Sequence, residues 1–85
     1  MRLTARQVRA ARVLLGWSQD DLSSAAELGI ATIRRLEAQD GVLRGMSDTI
    51  WKIQDALEKA GIVFIDDDET GGPGLRLAKQ TSEDR

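Results

Sequence analysis

One arrangement recurs four times in the first 51 residues: an apolar residue, then a position suited to cap a helix, then a second apolar residue five places after the first. Leu3, Thr4 and Val8 give the first instance and Trp17, Ser18 and Leu22 the second. Leu28, Gly29 and Ile33 give the third, and Met46, Ser47 and Trp51 the fourth. An apolar pair spanning the cap packs as a hydrophobic staple, so each instance predicts a helix start. Gln7 and Asp21 stand three places after Thr4 and Ser18, where a side chain can return a hydrogen bond to the capping backbone. Asp20 and Asp21 also lie in a first turn, where the helix dipole favours negative charge. Starts this close together allow only short helices. The first is predicted to reach about Leu15 and stop at Gly16, and the second to end near Ala26. The third begins after a break of two or three residues. The fourth carries Ile50, Ile53 and Leu57 on one face and stops at Gly61. Residues 38–46 read as a loop.

Beyond Gly61 the period changes. Ile62, Val63, Phe64 and Ile65 form a β-branched and aromatic run, residues 66–74 are acidic and glycine-rich, and Leu75, Arg76 and Leu77 alternate. This is the signature of a β-hairpin with a long loop. A lone hairpin is marginal in water, so it must pack on the helices or pair with another chain. The 85 residues are too few for a second core. The expected fold is mainly α. Residues 1–61 form a four-helix domain, residues 62–79 a carboxyl-terminal β-hairpin expected to serve as the dimerisation element, and residues 80–85 a disordered tail.

Cysteine and histidine are both absent. Zinc fingers, thiolate nucleophiles, imidazole bases and Ser-His-Asp triads are thereby excluded, and an enzyme is not expected. No apolar stretch approaches the ~18 residues of a membrane span, and the amino terminus lacks the layout of an export signal, so a cytoplasmic location without membrane contact is expected. The run Asp66, Asp67, Asp68, Glu69 lacks the spacing of a calcium loop and reads as a solubilising turn. Gly71, Gly72, Pro73 and Gly74 have neither the Lys-Ser/Thr pair nor the helix of a phosphate cradle. No metal and no cofactor are expected.

The formal net charge of -2 conceals an asymmetry. Residues 1–44 hold seven arginines against five acids, whereas residues 45–85 hold five basic side chains against nine acidic ones. Arginine is the side chain best matched to phosphate and to guanine edges. On a wheel of the third helix, Leu28, Ile33 and Leu36 point inward. Ala31, Arg34, Arg35 and Ala38 share the opposite face, with Ile30 at its leading edge. Small residues around two guanidinium groups would let this helix approach a ~12 Å major groove closely. A solvated charged face is the bland reading of the same residues.

The segment from Ser18 to Glu37, two short helices joined by a turn too tight for antiparallel packing, resembles the Cro/C1-type helix-turn-helix regulators, or XRE family. The resemblance covers roughly residues 4–60. It rests on Gly16-Trp17-Ser18-Gln19 opening the second helix, Leu22 and Ala26 packing it, and Thr32-Ile33-Arg34-Arg35-Leu36-Glu37 in the recognition helix. Two positions depart from the pattern. Glu27 stands where the family has a turn glycine, implying a strained or shifted turn, and Gly29 stands where a capping Ser or Thr is common.

The resemblance implies a double-stranded DNA partner. Ile30, Ala31 and Arg35 would lie toward base edges, with Arg34 serving bases or phosphate, and Ser18 and Gln19 would touch phosphate. It also implies an architectural ion pair between Arg12 and Glu37. Arg44 and Ser47 are further candidates for phosphate contact. Two arginines discriminate by ~2 to 6 kcal/mol, whereas a specific site among many competitors calls for ~8. A homodimer on an inverted repeat would double the readout. Its candidate surface is the fourth helix and hairpin, through Trp51, Ile62, Phe64, Leu75 or Leu77, although packing of these residues within one chain fits the sequence equally. The expected activity is transcription regulation, as a repressor. A rival reading is an antitoxin-like or adaptor module whose carboxyl-terminal hairpin engages a partner protein.

Overall fold

A computed structural model describes residues 2–79. The chain is mainly helical, with four helices followed by a two-stranded antiparallel hairpin. The helices are α1 (Ala5–Leu15), α2 (Gln19–Ala26), α3 (Ile30–Glu37) and α4 (Ser47–Lys59), and the strands are β1 (Ile62–Ile65) and β2 (Gly74–Leu77). The expected tail at 80–85 lies outside the described residues.

The first two helices begin where their capping boxes place them. Gln7 N–H donates to Thr4 Oγ1 (3.1 Å) while Thr4 N–H donates to Gln7 Oε1 (2.9 Å). The same reciprocal pair joins Ser18 and Asp21 at the start of α2. Gly16 ends α1 in the left-handed conformation, at φ 74°. Glu27 ends α2 the same way, at φ 58° and ψ 46°. The turn is therefore strained at Glu27 but not displaced, because the Leu28 N–H still reaches the Ser23 carbonyl (3.0 Å) and the Ser23 hydroxyl donates to the Leu28 carbonyl. A non-glycine residue held there costs ~1 to 2 kcal/mol.

The fourth start differs from expectation. Met46, not Ser47, is the N-cap, its side chain makes no capping bond, and Ser47 is the first helical residue. The Ile50 N–H bonds the Met46 carbonyl (3.1 Å), which draws the helix one residue further back. Met46 and Trp51 are both largely exposed, so they do not form a staple on the core. The preceding loop is held on both sides. Leu43 N–H donates to the Leu3 carbonyl (2.9 Å), and Ala5 N–H to the Gly41 carbonyl (3.0 Å).

One core unites helices and hairpin. Leu22, Ile33, Leu36, Ile53, Leu57 and Val8 are its largest fully buried side chains, and Ile62 and Phe64 from β1 complete it. Each fully buried aliphatic or aromatic side chain contributes ~1.5 to 3 kcal/mol, so β1 is a structural part of the domain. This corrects the expectation that Ile62 and Phe64 serve a dimer surface: both pack inside their own chain. Leu75 is half-buried against the same core, while Trp51 and Leu77 remain exposed. Gln7 fixes the loop end of the hairpin, its Nε2 donating to the Gly74 carbonyl (3.0 Å).

Candidate nucleic-acid interface

The site is built on α3, whose eight residues divide sharply by environment. Ile33, Leu36 and Glu37 are buried, and Leu28 packs against the core just before the helix. Ala31, Arg34, Arg35 and Ala38 are exposed, with Ile30 half-buried at the edge. The wheel drawn from sequence therefore matches the burial of every residue it placed. Gly29 is the N-cap with extended backbone and no side-chain capping bond. Arg34 and Arg35 form no ion pair among the described residues.

Glu37 fixes the orientation of that face. Its carboxylate is 3% exposed and accepts two hydrogen bonds from Arg12, Nε to Oε2 at 2.9 Å and Nη2 to Oε1 at 3.0 Å. The expected ion pair is thus present in its bidentate form, the arrangement in which a guanidinium binds a carboxylate best. Arg12 Nη1 continues to the Trp17 carbonyl (3.0 Å). Arg9, from the preceding turn of α1, donates to the Glu37 backbone carbonyl. Sequence reading did not single out Arg9, whose partner is 28 residues away. Together these bonds tie α1, the start of α2 and the end of α3.

The four candidate phosphate contacts fall in different environments. Gln19 is partly engaged within the chain, because its Nε2 donates to Glu37 Oε1 (3.2 Å). That leaves the second proton of the amide for an outside acceptor. Ser18 is exposed; its Oγ accepts the Asp21 N–H (3.0 Å), and the hydroxyl proton stays free to donate outward. Arg44 is exposed, and its backbone is clasped by Gln39, whose Oε1 accepts the Arg44 N–H (2.7 Å) while its Nε2 donates to the Arg44 carbonyl (2.7 Å). Gln39 was a second omission: it orders the loop that carries Arg44, and its side chain has the donor and acceptor this requires. Ser47 is exposed in the first turn of α4, where backbone N–H groups lack intrahelical partners.

Two half-buried arginines, Arg9 and Arg12, are therefore spent on Glu37, whereas the exposed Arg34 and Arg35 have no ion partner among the described residues. What the arrangement offers a ligand is a shallow cationic helix face with small side chains around it, suited to binding an extended polyanion rather than enclosing a small molecule. No family model matches the chain, and no curated protein matches it.

Proposed function

We propose that the chain is a sequence-specific double-stranded DNA-binding regulator of the Cro/C1 helix-turn-helix kind. It acts as a homodimer on an inverted-repeat operator and represses by occupying it. The observation that carries this reading is the outward pair Arg34 and Arg35, unpaired among the described residues, on a helix whose opposite face is anchored by Ile33, Leu36 and Glu37. Such a helix can enter a major groove without disturbing the core, since the side chains of Arg34 and Arg35 have no ion pair among the described residues that must first break. Arg35, Ile30 and Ala31 lie toward base edges, and Arg34 toward bases or phosphate. Ser18, Gln19, Arg44 and Ser47 supply backbone contacts on either side.

Selection of bound duplexes from a random pool tests this directly. A recovered palindrome supports the reading, and its half-site spacing reports the two-fold axis. Affinity for that duplex should fall steeply with added salt, with a slope equivalent to several phosphates. Failure to enrich any sequence, together with salt-insensitive or absent duplex binding, would overturn the proposal in favour of a protein-interaction module.

A further inference from the structure

The short segment before α1 lies antiparallel to the loop after α3. Thr4 faces Val42 in an isolated bridge, flanked by the Leu43 N–H donating to the Leu3 carbonyl (2.9 Å) and the Ala5 N–H donating to the Gly41 carbonyl (3.0 Å). Thr4 and Val42 are thus a non-hydrogen-bonded pair, and Leu3 and Leu43 share the hydrogen-bonded position next to it. One step further along the same register, Arg2 stands opposite Arg44. That position is again non-hydrogen-bonded, so the peptide groups of Arg44 turn away from Arg2. The clasp by Gln39 fits this, because it takes up both the Arg44 N–H and the Arg44 carbonyl (2.7 Å each). Facing residues at such a position lie ~4.5 Å apart between Cα atoms. Alternation sends Leu3 and Leu43 into the core, where both are buried, and Arg2 and Arg44 outward, where both are exposed.

Like charges directly opposite one another destabilise an antiparallel pair. Neither Arg2 nor Arg44 has an ion pair among the described residues. The acids closest to Arg44 in sequence are Asp40, which is exposed and in no such pair, and Asp48, which lies 4.0 Å from Lys52. Two guanidinium groups brought together without a counter-charge form a site that an anion completes, and their planar forks match the oxygens of a phosphate. Arg2 also lines a shallow concavity of about 310 Å³ with Val42, Ser47 and Trp51, so the pair stands beside the first turn of α4.

We propose that Arg2 and Arg44 clasp a single phosphate of the DNA backbone between them, beside Ser47. The inference rests on the DNA-binding reading and extends it to the residues ahead of α1, to which neither the wheel of α3 nor the family resemblance pointed. Binding a phosphate removes the repulsion that the free chain carries at this pair. The contact engages the backbone alone, so it positions the chain on the duplex and carries no base preference.

Duplex titrations and urea unfolding of the full chain, run in parallel, test the clasp. Arg2→Ala should weaken binding to a selected operator and to an unrelated duplex by the same factor, about three- to tenfold, and reduce the salt slope by ~1. Arg2→Lys should restore part of that loss. Arg2→Glu should weaken binding further while its urea midpoint holds or rises, because an acid then faces Arg44. The double variant Arg2→Ala with Arg44→Ala should depart from the product of the two single losses, since both side chains serve one phosphate. Unchanged affinity in Arg2→Ala and Arg2→Glu would overturn the clasp and leave the DNA-binding reading standing. A loss confined to the operator would overturn it too, by making Arg2 a base reader, and single losses that simply multiply would assign the two arginines to separate phosphates. A wild-type chain that binds no duplex would overturn both readings together.

Discussion

Arg12 and Arg35 are the same side chain in one small domain, and their surroundings make them do opposite things. Arg12 is 17% exposed and meets the carboxylate of Glu37 in a two-point fork, supported by the Trp17 carbonyl. Arg35 sits two residues before Glu37 on the same helix and has no ion partner among the described residues. The helical rotation of ~100° per residue separates an inward acid from an outward base across that short distance. A count of arginines therefore says little about ligand binding. The useful number is how many remain after the internal acceptors are satisfied, and the buried Glu37 claims Arg12 through its carboxylate and Arg9 through its carbonyl.

The largest expected effect comes from breaking the inner side of this contrast. Arg12→Ala leaves the Glu37 carboxylate buried without its counter-charge, and such a loss destabilises by ~3 to 5 kcal/mol. The urea midpoint should drop sharply, or the chain should fail to fold at room temperature. A double variant, Arg12→Met with Glu37→Leu, removes both charges and should recover most of that loss. If the double variant were as unstable as the single one, the bridge would be needed for its geometry rather than for charge compensation.

The outer side should respond in the reverse way. Arg35→Ala touches no internal partner, so the unfolding midpoint should move by no more than ~0.5 kcal/mol. Affinity for a selected operator should fall by ~1 to 3 kcal/mol per half-site, with preference relaxed at one base position. Paired urea and duplex titrations separate the two quantities. A variant that lost stability and affinity together would place Arg35 in the architecture and remove the contrast.

Which parts of this were legible in the sequence depends on the range of the interaction. The boxes at Thr4 with Gln7 and Ser18 with Asp21 are local, so spacing alone located the starts of α1 and α2. The two faces of α3 were legible because period and composition agree there, with Ile33 and Leu36 inward and Arg34 and Arg35 outward. The Arg12–Glu37 bridge was available only through resemblance. Gln7 to Gly74, Arg9 to Glu37 and Gln19 to Glu37 join residues 67, 28 and 18 positions apart, and no local spacing encodes such pairs. Alternation in β1 showed that Ile62 and Phe64 share a face but not what covers it, and the cover proved to be the chain's own helices. At α4, Ser47 has the better capping chemistry, yet the loop fixed by Leu43 and Gln39 delivers the chain so that Met46 takes the cap.

Glu27 offers a test that both regions share, because its turn sets the angle between α2 and α3. Its left-handed backbone suits glycine, which has no Cβ to clash. Glu27→Gly should relieve ~1 kcal/mol of strain, partly offset by the greater freedom of the unfolded chain, for a net gain of a few tenths to ~1 kcal/mol in thermal or urea unfolding. Operator affinity should stay constant, since the backbone already adopts the conformation that glycine prefers.

The smallest expected effect lies in the hairpin loop, at the opposite end of the scale from Glu37. Asp68 is fully exposed, yet its Oδ1 accepts the Thr70 hydroxyl (2.7 Å), the Thr70 N–H (2.8 Å) and the Gly71 N–H (3.0 Å). The Thr70 side chain contributes most, and together these donors hold the Asp68 carboxyl below its ordinary value of 3.8. A carboxyl whose folded pKa is depressed stabilises the turn fully above the unfolded value and loses that support as pH falls through the lower folded value. The Thr70 and Gly71 amide resonances should therefore move together on acidification, with a midpoint below 3.8, while α3 amides stay unchanged over that step. Asp68→Asn should remove the titration and leave the urea midpoint almost unaffected, because the side-chain oxygen still accepts the same donors. A midpoint at or above the ordinary value would mean that the Asp68 turn does not persist in solution.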